Sequence, residues 1–325
     1  MPTAVGPMNL PLVSVFVPTY NHAAFIRDAV MSALEQDYPK LQIVVGDDGS
    51  TDGTVEIVAE LAARYPHRVT AILGDHVGLP GNCNRILDAC RGDYIAFFSG
   101  DDLFLPGKIR RQVEWLEADP RRLVCGHDID VFDSDTGRVV FRWSAYFPIP
   151  KRGSGPRHIV RSGYVFPGQS IMARASVVAG NRYDPRLELM CDWKFLIDVF
   201  ATGDGYYGSI DGVLAKYRRH ARSITLDDET SSGRLVEVLM TLGMIEAARP
   251  DLIGDTRRYR ARVFLKLGAR CLAAGDRHGS RAYLMAALRS HPLASWKTPA
   301  ALALTLLPGA MPQRVLSRYV TPTRI

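Results

Sequence analysis

Two adjacent carboxylates, Asp101 and Asp102, follow an apolar and aromatic run that begins at Tyr94 and has the character of a buried strand. Ligands of open α/β sheets bind beyond the carboxyl ends of such strands, so this position favours a binding site. Adjacent acids repel each other, and a divalent metal that carries a diphosphate would relieve the repulsion, because hard cations prefer oxygen ligands. The alternative is that the two acids cap the helix that begins near Pro106, since Asp is a common N-cap residue.

Two other predicted strands also end in polar clusters. The first strand runs into Pro18-Thr19-Tyr20-Asn21, and the second runs into Asp47-Asp48-Gly49-Ser50. In a right-handed βαβ array the three strand tips lie along one edge of the sheet. An aromatic ring and two carboxylate pairs at that edge suit a base, a ribose and a metal-bound diphosphate. No GxGxxG or Walker A motif follows the first strand, so a Rossmann dinucleotide site or a P-loop would lack its glycines.

The elements that must position these tips alternate between strand and helix. Apolar runs predict the strands, and apolar residues at helical spacing predict the helices between them. Predicted strands lie at 13–17, 41–46, 69–73, 94–98 and 122–125, and predicted helices lie at 23–36, 54–64, 84–90 and 107–119. This alternation is typical of βαβ units and predicts an α/β fold with a mostly parallel sheet flanked by helices.

Two further candidates for chemistry lie later in the chain. Asp192 stands at the start of a helix whose apolar residues include Phe195 and Val199. It is either a helix N-terminal acid, favoured there by the helix dipole, or a catalytic carboxylate. A predicted strand at 213–217 leads into His220, which adds an imidazole to the candidates.

The C-terminal third of the chain has a different character. Helical periodicity dominates from residue 226 onward, where 15 basic residues outnumber 8 acidic ones, whereas the first 225 residues carry 25 basic and 26 acidic residues. We therefore predict one domain at 1–225 and a basic helical region at 226–325. The apolar stretch at 300–307 is too short to span a bilayer, which takes roughly 20 residues. It either lies in a membrane interface or packs as a core helix.

Composition limits the class of protein and its compartment. The 325 residues are 47% hydrophobic and 23% charged, which is ordinary for a globular chain. The five cysteines form no CxxC pair, which argues against a disulfide framework or a zinc site and for a reducing compartment. No signal peptide is apparent, and no apolar run reaches membrane-spanning length. We expect a cytoplasmic protein with peripheral contact at the inner face of the plasma membrane.

In this order and at these intervals, the motifs resemble those of family 2 glycosyltransferases of the GT-A fold. The resemblance covers about residues 12–225, and it is the ordered set of motifs rather than any one of them that is specific. The motifs are Pro18-Thr19-Tyr20-Asn21, Asp47-Asp48-Gly49-Ser50-Thr51-Asp52, Asn84 ahead of Gly92-Asp93-Tyr94-Ile95, Asp101-Asp102, Cys191-Asp192-Trp193 and Tyr217-Arg218-Arg219-His220. The resemblance implies a Rossmann-like GT-A sheet, here with a C-terminal α-helical extension.

The resemblance also implies which residues bind the nucleotide-sugar donor. They are Pro18, Thr19, Tyr20, Asn21, Asp47, Asp48, Asn84 and Asp101. The first four would surround the base, and Asp48 would accept a hydrogen bond from it. Asp47 would support that loop, or it would simply form an Asx-type turn with Gly49. Asp101 would face the ribose or the metal.

For the chemical step, the resemblance implies a metal and a base. Asp102 would bind Mn²⁺ or Mg²⁺ directly, and Asp192 would be the general base. His220 would reach the metal or the diphosphate, or it is an ordinary histidine of the fold. Two departures from the family pattern stand out: Cys191 replaces the usual acid before Asp192, and Ser99-Gly100 replaces the first acid of the metal motif.

Together these features predict an inverting, metal-dependent glycosyltransferase that moves a sugar from a nucleotide-diphosphate sugar to an acceptor hydroxyl. We expect it to act in cell-surface polysaccharide or glycolipid biosynthesis, with a saccharide or lipid-linked acceptor. A nucleotidyltransferase would need a Gly-rich basic loop after the first strand, where this chain has Tyr20-Asn21-His22-Ala23. The other alternative is a non-catalytic domain that binds a nucleotide-sugar or scaffolds a membrane assembly. We expect no nucleic-acid partner, because the basic tail lacks interleaved aromatic residues on a strand platform, whereas an anionic membrane face suits it.

Overall fold

The computed structural model of the protein describes residues 10–163, 166–221, 223, 232–292 and 297–305. These residues form two compact units. One contains the described residues up to 158 and from 166 to 223, and the other contains 159–163 and the described residues from 232 onward. The separation falls close to residue 225, and the assignment of 1–225 and 226–325 as two domains stays a prediction.

Strands and helices alternate along the first part of the chain. The strands are β1 (Val13–Thr19), β2 (Leu41–Asp47), β3 (Val69–Leu73), β4 (Tyr94–Phe97), β5 (Leu103–Phe104), β6 (Arg122–Asp133), β7 (Val139–Arg142), β8 (Arg152–Gly153), β9 (Met172–Arg174) and β10 (Tyr206–Arg219). The helices are α1 (Ile26–Leu34), α2 (Thr54–Arg64), α3 (Gly78–Ala89), α4 (Lys108–Glu117), α5 (Arg157–Ser162), α6 (Ala175–Val178) and α7 (Cys191–Ala201). Short 3-10 turns lie at Trp143–Ala145 and Gly168–Ser170.

The strands form one sheet in the order β3-β2-β1-β4-β9-β6-β10-β5, with β7 beside β6 and β8 beside β10. The long pairings, β1 with β2 and β4, β2 with β3, and β6 with β10, are parallel. The antiparallel pairings extend over only two or three residue pairs each. The sheet is therefore mostly parallel, as predicted, and β1, β2 and β4 end at the same edge.

Apolar residues on both faces of the central strands explain why these strands lie in the middle of the fold. Val13, Val15 and Val17 of β1 are fully buried in one cluster together with apolar residues of α1, α2 and α4. Phe16, on the opposite face, packs against Phe97 of β4, with their ring centroids 5.4 Å apart. Parallel strands covered on both faces are expected to be apolar throughout rather than alternating.

The second unit consists mainly of helices. They are α8 (Ser232–Ala248), α9 (Ile253–Ala273), α10 (Arg277–Ser290) and α11 (Lys297–Leu304), with a 3-10 turn at Pro250–Leu252. Helices α9 and α10 pack closely at Gly268, which has no side chain. A Cβ atom at this position would lie only 2.7 Å from the Leu284 side chain. The Asp276 carboxylate caps α10 by accepting the Gly279 N–H. Of the predicted apolar stretch at 300–307, the last two residues lie outside the described part. Among the described helices, none combines the length and the apolarity that crossing a bilayer requires.

Candidate active site

The loop after β1 carries an exposed aromatic ring and is held from the neighbouring loop. Tyr20 is 45% exposed, and its ring centroid lies 4.9 Å from that of His76. Asn21 adopts a φ of +53°, a left-handed conformation that Asn tolerates better than most residues. Its N–H donates to Ser50 Oγ at 2.8 Å, and its side-chain oxygen accepts the Thr51 N–H at 2.9 Å. The tips of β1 and β2 are thus fastened to each other.

The two carboxylates at the end of β2 hold their own loops in place. Asp47 accepts hydrogen bonds from the N–H and the Oγ of Ser50, which is an Asx-type turn. The Asp48 carboxylate is buried; it accepts the Val77 N–H at 2.8 Å and lies 2.9 Å from His76 Nδ1. The Asp48 N–H donates to the Thr19 carbonyl at 3.1 Å. Asp47 therefore supports the loop, and contact of Asp48 with a base stays a prediction.

Asn84 of α3 clamps the segment that leads to α7. Its amide nitrogen donates to the Tyr183 carbonyl and its amide oxygen accepts the Tyr183 N–H, each at 2.9 Å. The Tyr183 ring in turn stacks on Phe195 of α7, with centroids 4.1 Å apart. The structure thus gives Asn84 a positioning role for α7, and its contact with a nucleotide-sugar stays a prediction.

Asp192 is the second residue of α7. Solvent reaches its side chain, although protein atoms surround much of its carboxyl group. The residue is exposed, yet the many protein atoms around it raise the pKa of its carboxyl to about 6 through desolvation. Among the described residues, no group donates a hydrogen bond to this carboxylate. The pKa of the Cys83 thiol is raised, first by burial and then by the charges of Asp192, Cys191 and Asp48. The carboxylates of Asp192 and Asp48 therefore both lie near Cys83. Such a carboxylate can accept a proton near neutral pH.

Gly100 allows the tip of β4 to lie directly on the tip of β1. The Gly100 N–H donates to the Pro18 carbonyl at 3.0 Å. A Cβ atom at this position would lie 2.7 Å from Thr19 Oγ1 and 2.8 Å from Thr19 Cβ, closer than side chains tolerate. Thr19 Oγ1 itself is buried and has no hydrogen-bond partner in the described part of the chain. The glycine that departs from the family's metal motif is therefore required by packing.

The two adjacent carboxylates, Asp101 and Asp102, have different surroundings. Asp102 is 2% exposed and accepts the Arg218 N–H at 2.9 Å. Burial, and then the neighbouring charge of Asp101, raise the pKa of Asp102 well above its usual value. The Arg218 guanidinium donates to the Asp101 carbonyl at 2.8 Å, so this turn is joined to β10 on both sides. The metal-binding role of Asp102 stays a prediction.

The Asp101 carboxylate instead lies in a cluster with two histidines. Its Oδ2 atom is 3.1 Å from His220 Nε2 and 3.9 Å from His22 Nε2. One donor atom from each of the three residues lies within 4.8 Å of the other two, a spacing that suits a shared metal ion. The sequence places Asp101 and His220 among the candidates, but it does not single out His22. The one feature of the sequence that points to His22 is its position next to Asn21, at the tip of β1, which ends at the same edge of the sheet as β4.

The charges in this cluster suit a metal ligand set. Burial opposes ionisation of Asp101, but the hydrogen bond with His220 and the proximity of His22 outweigh it and lower the pKa of Asp101. Burial is also the main reason that the pKa of His22 is lowered, which favours the neutral imidazole that binds metals. The Nδ1 atom of His22 is buried and has no hydrogen-bond partner among the described residues. A carboxylate and two imidazoles with such an unsatisfied atom fit a divalent cation.

The Arg218 guanidinium and the Phe25 ring lie beside this cluster. The Arg218 guanidinium lies 4.8 Å from the centroid of the Phe25 ring and 4.8 Å from that of Phe132. The Phe25 ring in turn lies 4.7 Å from the His220 ring. The sequence indicates Arg218 only as part of a motif and not as a site residue. Its guanidinium adds positive charge beside Asp101.

Comparison with known families and sequences places these motifs among glycosyltransferases. The model of the family described as glycosyl transferase family 2 matches residues 14–178. EpsE of Bacillus subtilis, named as a glycosyltransferase, is 34% identical over 198 residues, which cover 59% of this chain and 68% of EpsE. The uncharacterized protein Rv1520 of Mycobacterium tuberculosis is 30% identical over 218 residues, which cover 65% of this chain and 60% of that protein. The chain thus spans about 60% of the length of the mycobacterial relatives that it matches.

A shorter match links the chain to a named biosynthetic route. TuaG of Bacillus subtilis, named as a teichuronic acid biosynthesis glycosyltransferase, is 35% identical over 107 residues, covering 33% of this chain and 42% of TuaG.

Solved structures share the fold. TarS residues 1–349 from S. aureus, in complex with UDP-GlcNAc, superimpose with a TM-score of 0.66 at 15% identity, covering 94% of this chain and 90% of that one. The mannosyltransferase PcManGT from Pyrobaculum calidifontis, in complex with GDP-Man and Mn²⁺, gives a TM-score of 0.56 at 20% identity, covering 96% and 84%. At these identities the likeness shows the fold, and it confirms the predicted GT-A architecture.

Proposed function

The chain belongs to glycosyl transferase family 2, and from that premise we propose that it moves a sugar from a nucleotide-diphosphate sugar to an acceptor hydroxyl, with inversion at the anomeric carbon. The observation that carries the proposal is the meeting of three strand tips at one sheet edge, where β1, β2 and β4 bring together an exposed ring, a carboxylate and an imidazole–carboxylate cluster. That set of groups matches the three parts of a nucleotide-diphosphate sugar.

The base and the ribose would lie over the tips of β1 and β2. The exposed Tyr20 ring offers a face on which a base stacks, as aromatic side chains do for nucleobases generally. Asn21 joins the two loops by donating to Ser50 Oγ, and Asp47 holds Ser50 in place, so the surface around the ring is formed before the donor binds.

The diphosphate would lie at the tip of β4, where the described residues fit a divalent ion. Asp101 and His220 supply a carboxylate and an imidazole that already lie 3.1 Å apart. When bound, such an ion neutralises the negative charge that develops on a leaving diphosphate. Asp102 would contribute by holding the turn against β10 and by adding a second carboxyl group close to the ion. PcManGT, which shares the fold, binds GDP-Man and Mn²⁺.

Asp192 would act as the general base for the acceptor hydroxyl. With a pKa of about 6 it is mostly ionised at neutral pH, yet more basic than an unperturbed carboxylate. It would take the proton of the hydroxyl as its oxygen attacks the anomeric carbon from the side opposite the leaving diphosphate. A base that does not itself bond to the sugar gives one displacement, and one displacement inverts the anomeric configuration.

The relatives suggest the setting in which this reaction takes place. TuaG carries teichuronic acid biosynthesis in its name, and TarS binds UDP-GlcNAc. We propose that the acceptor is a saccharide or a lipid-linked saccharide of a cell-surface polymer. We further propose that the basic C-terminal region brings the protein to the anionic inner face of the membrane. Sedimentation with anionic vesicles, and not with neutral ones, would support this contact.

A donor screen tests the proposed function. The full-length protein is mixed with UDP-, GDP- and dTDP-sugars and Mn²⁺, with and without saccharide acceptors, and nucleoside diphosphate release is measured. We expect one nucleotide class to give release that the acceptor accelerates and that EDTA abolishes. Tight binding of a nucleoside diphosphate without release from any donor would favour the non-catalytic scaffold instead.

A further inference from the structure

The imidazole of His22 has no function in the fold that its surroundings explain. Its Nδ1 atom is buried without a partner among the described residues. Its Nε2 atom lies 3.9 Å from Asp101 Oδ2, which is too long for a hydrogen bond. Buried polar atoms in native proteins almost always have partners, and an exception calls for a specific reason such as a bound ion.

The backbone around His22 is fixed from the neighbouring loop. The His22 N–H donates to Thr54 Oγ1 at 2.9 Å, and the next N–H, of Ala23, donates to Asp52 Oδ2 at 3.1 Å. Asp52 also accepts the Thr54 N–H, so the start of α2 is part of the same network. The backbone that carries the imidazole is therefore fixed in advance, which favours a precise ligand position.

The position of His22 completes a set of donors from three separate elements. His22 follows β1, Asp101 follows β4 and His220 follows β10, and one donor atom from each lies within 4.8 Å of the others. Donor atoms that share one ion lie about 3 to 4.2 Å apart when each is about 2.1 Å from it. Only small side-chain adjustments are therefore needed for all three to bind the same cation.

We propose that His22 is a third protein ligand of the active-site cation, and that two imidazoles and one carboxylate make this site select Mn²⁺ over Mg²⁺. This inference rests on the proposed function and adds to it the choice of ion. Mg²⁺ takes oxygen ligands and keeps its waters, whereas imidazole suits transition metals. Even with the Asp102 carboxyl close by, two of the protein donors in this cluster are imidazole nitrogens, so the site is not made of oxygen ligands alone.

Binding of the metal alone tests the proposal without any donor sugar. The full-length protein is titrated with Mn²⁺, and free Mn²⁺ is measured by electron paramagnetic resonance, with Mg²⁺ as competitor. We expect His22→Ala to weaken Mn²⁺ binding by about 10-fold or more, the scale seen when groups that tune metal sites are removed. His22→Asp should keep Mn²⁺ binding but let Mg²⁺ compete more strongly than in the wild type. His67→Ala, at an exposed position, serves as the matched control and should change neither.

The outcomes separate this inference from the proposed function. Equal Mn²⁺ affinity in wild type and His22→Ala, or Mg²⁺ competing as well as Mn²⁺ in the wild type, would overturn the inference even if sugar transfer is observed. Normal Mn²⁺ selectivity without nucleoside diphosphate release would overturn the proposed function and leave the inference standing. If His22→Ala does not fold, as judged by thermal unfolding, His22→Asn replaces it, and the same weakening of Mn²⁺ binding is expected.

Discussion

Replacement of Asp192 by asparagine should slow catalysis strongly while leaving the fold at least as stable. The amide cannot accept the proton of the acceptor hydroxyl, and loss of a positioned general base costs about 10²- to 10⁴-fold in turnover. We therefore expect Asp192→Asn to lower the rate of nucleoside diphosphate release by about 100-fold or more, with little change in donor affinity, because the described residues at the strand tips are untouched.

The pKa of Asp192 also predicts the pH dependence of the wild type. The carboxylate must be ionised to act as a base, and its pKa is raised from 3.8 to about 6. At pH 7 about 90% of the molecules would carry the ionised form, and kcat/KM should fall about tenfold per pH unit below pH 6. An unperturbed aspartate would keep its activity down to about pH 4.

The same shift has a consequence for stability. Because the folded-state pKa is raised, the ionised carboxylate destabilises the fold at pH values above 6, and this penalty disappears as the pH falls below the unfolded value of 3.8. A fully enclosed carboxyl with this shift would cost about 3 kcal/mol, but solvent reaches Asp192, and screening reduces the figure to about 1 kcal/mol. We therefore expect Asp192→Asn to raise the free energy of unfolding at pH 7 by up to about 1 kcal/mol.

A control on the same helix completes the design. Asp198 of α7 pairs with Lys194 at 2.5 Å, so Asp198→Asn removes a partly exposed carboxylate at no more than about 1 kcal/mol and should leave turnover unchanged. Nucleoside diphosphate release from pH 5 to 8 and denaturant unfolding at pH 7 are the two measurements. Full activity in Asp192→Asn, or a wild-type profile that stays flat down to pH 5, would refute the assignment of the base.

Three further substitutions test other parts of the structure. Gly100→Ala should cost about 1 to 3 kcal/mol by overpacking against the tip of β1, whereas Gly168→Ala, with open space around the glycine, should cost less; thermal unfolding compares them. Asn84→Ala removes two hydrogen bonds to the segment before α7 and should cost about 1 to 3 kcal/mol in denaturant unfolding, with a loss of turnover. Lys108 is fully buried, and desolvation lowers its pKa to about 7. Because the unfolded state binds this proton more tightly, wild-type stability should rise relative to Lys108→Met between pH 7 and 10. Identical pH profiles of unfolding for those two proteins would contradict this reasoning.

The sequence predicts the parallel half of the fold well, because its strands are continuous apolar runs. The predicted strands at 13–17, 41–46 and 69–73 correspond to β1, β2 and β3. The insertion of β9, antiparallel, between β4 and β6 is not predictable from periodicity, since strand order depends on tertiary packing. The last strand also extends well beyond the predicted 213–217, because register shifts between Ser209 and Ala215 interrupt its pattern.

The residues of the candidate site are also only partly predictable from the sequence. Local composition identifies the strand tips, because polar turn residues follow apolar runs there. It does not decide between Asp101 and Asp102, since which carboxylate faces His220 and which accepts the Arg218 N–H depends on the end of β10, which is distant in sequence. Nor does it identify His22, whose partners Asp101 and His220 come from other strands.

Calorimetry with nucleoside diphosphates is the decisive measurement of whether a metal-bound nucleotide lies where the tips of β1, β2 and β4 meet. UDP, GDP and dTDP are titrated into the wild type, Tyr20→Ala and Asp101→Asn, with Mn²⁺ or with EDTA. We expect one nucleotide to bind the wild type at least about tenfold more tightly with Mn²⁺ than with EDTA. We also expect Tyr20→Ala to weaken binding in both conditions and Asp101→Asn to remove only the effect of Mn²⁺. Nucleotide affinity that does not change with Mn²⁺ or with either substitution, or no binding of any of the three nucleotides, would contradict a metal-bound nucleotide at this edge.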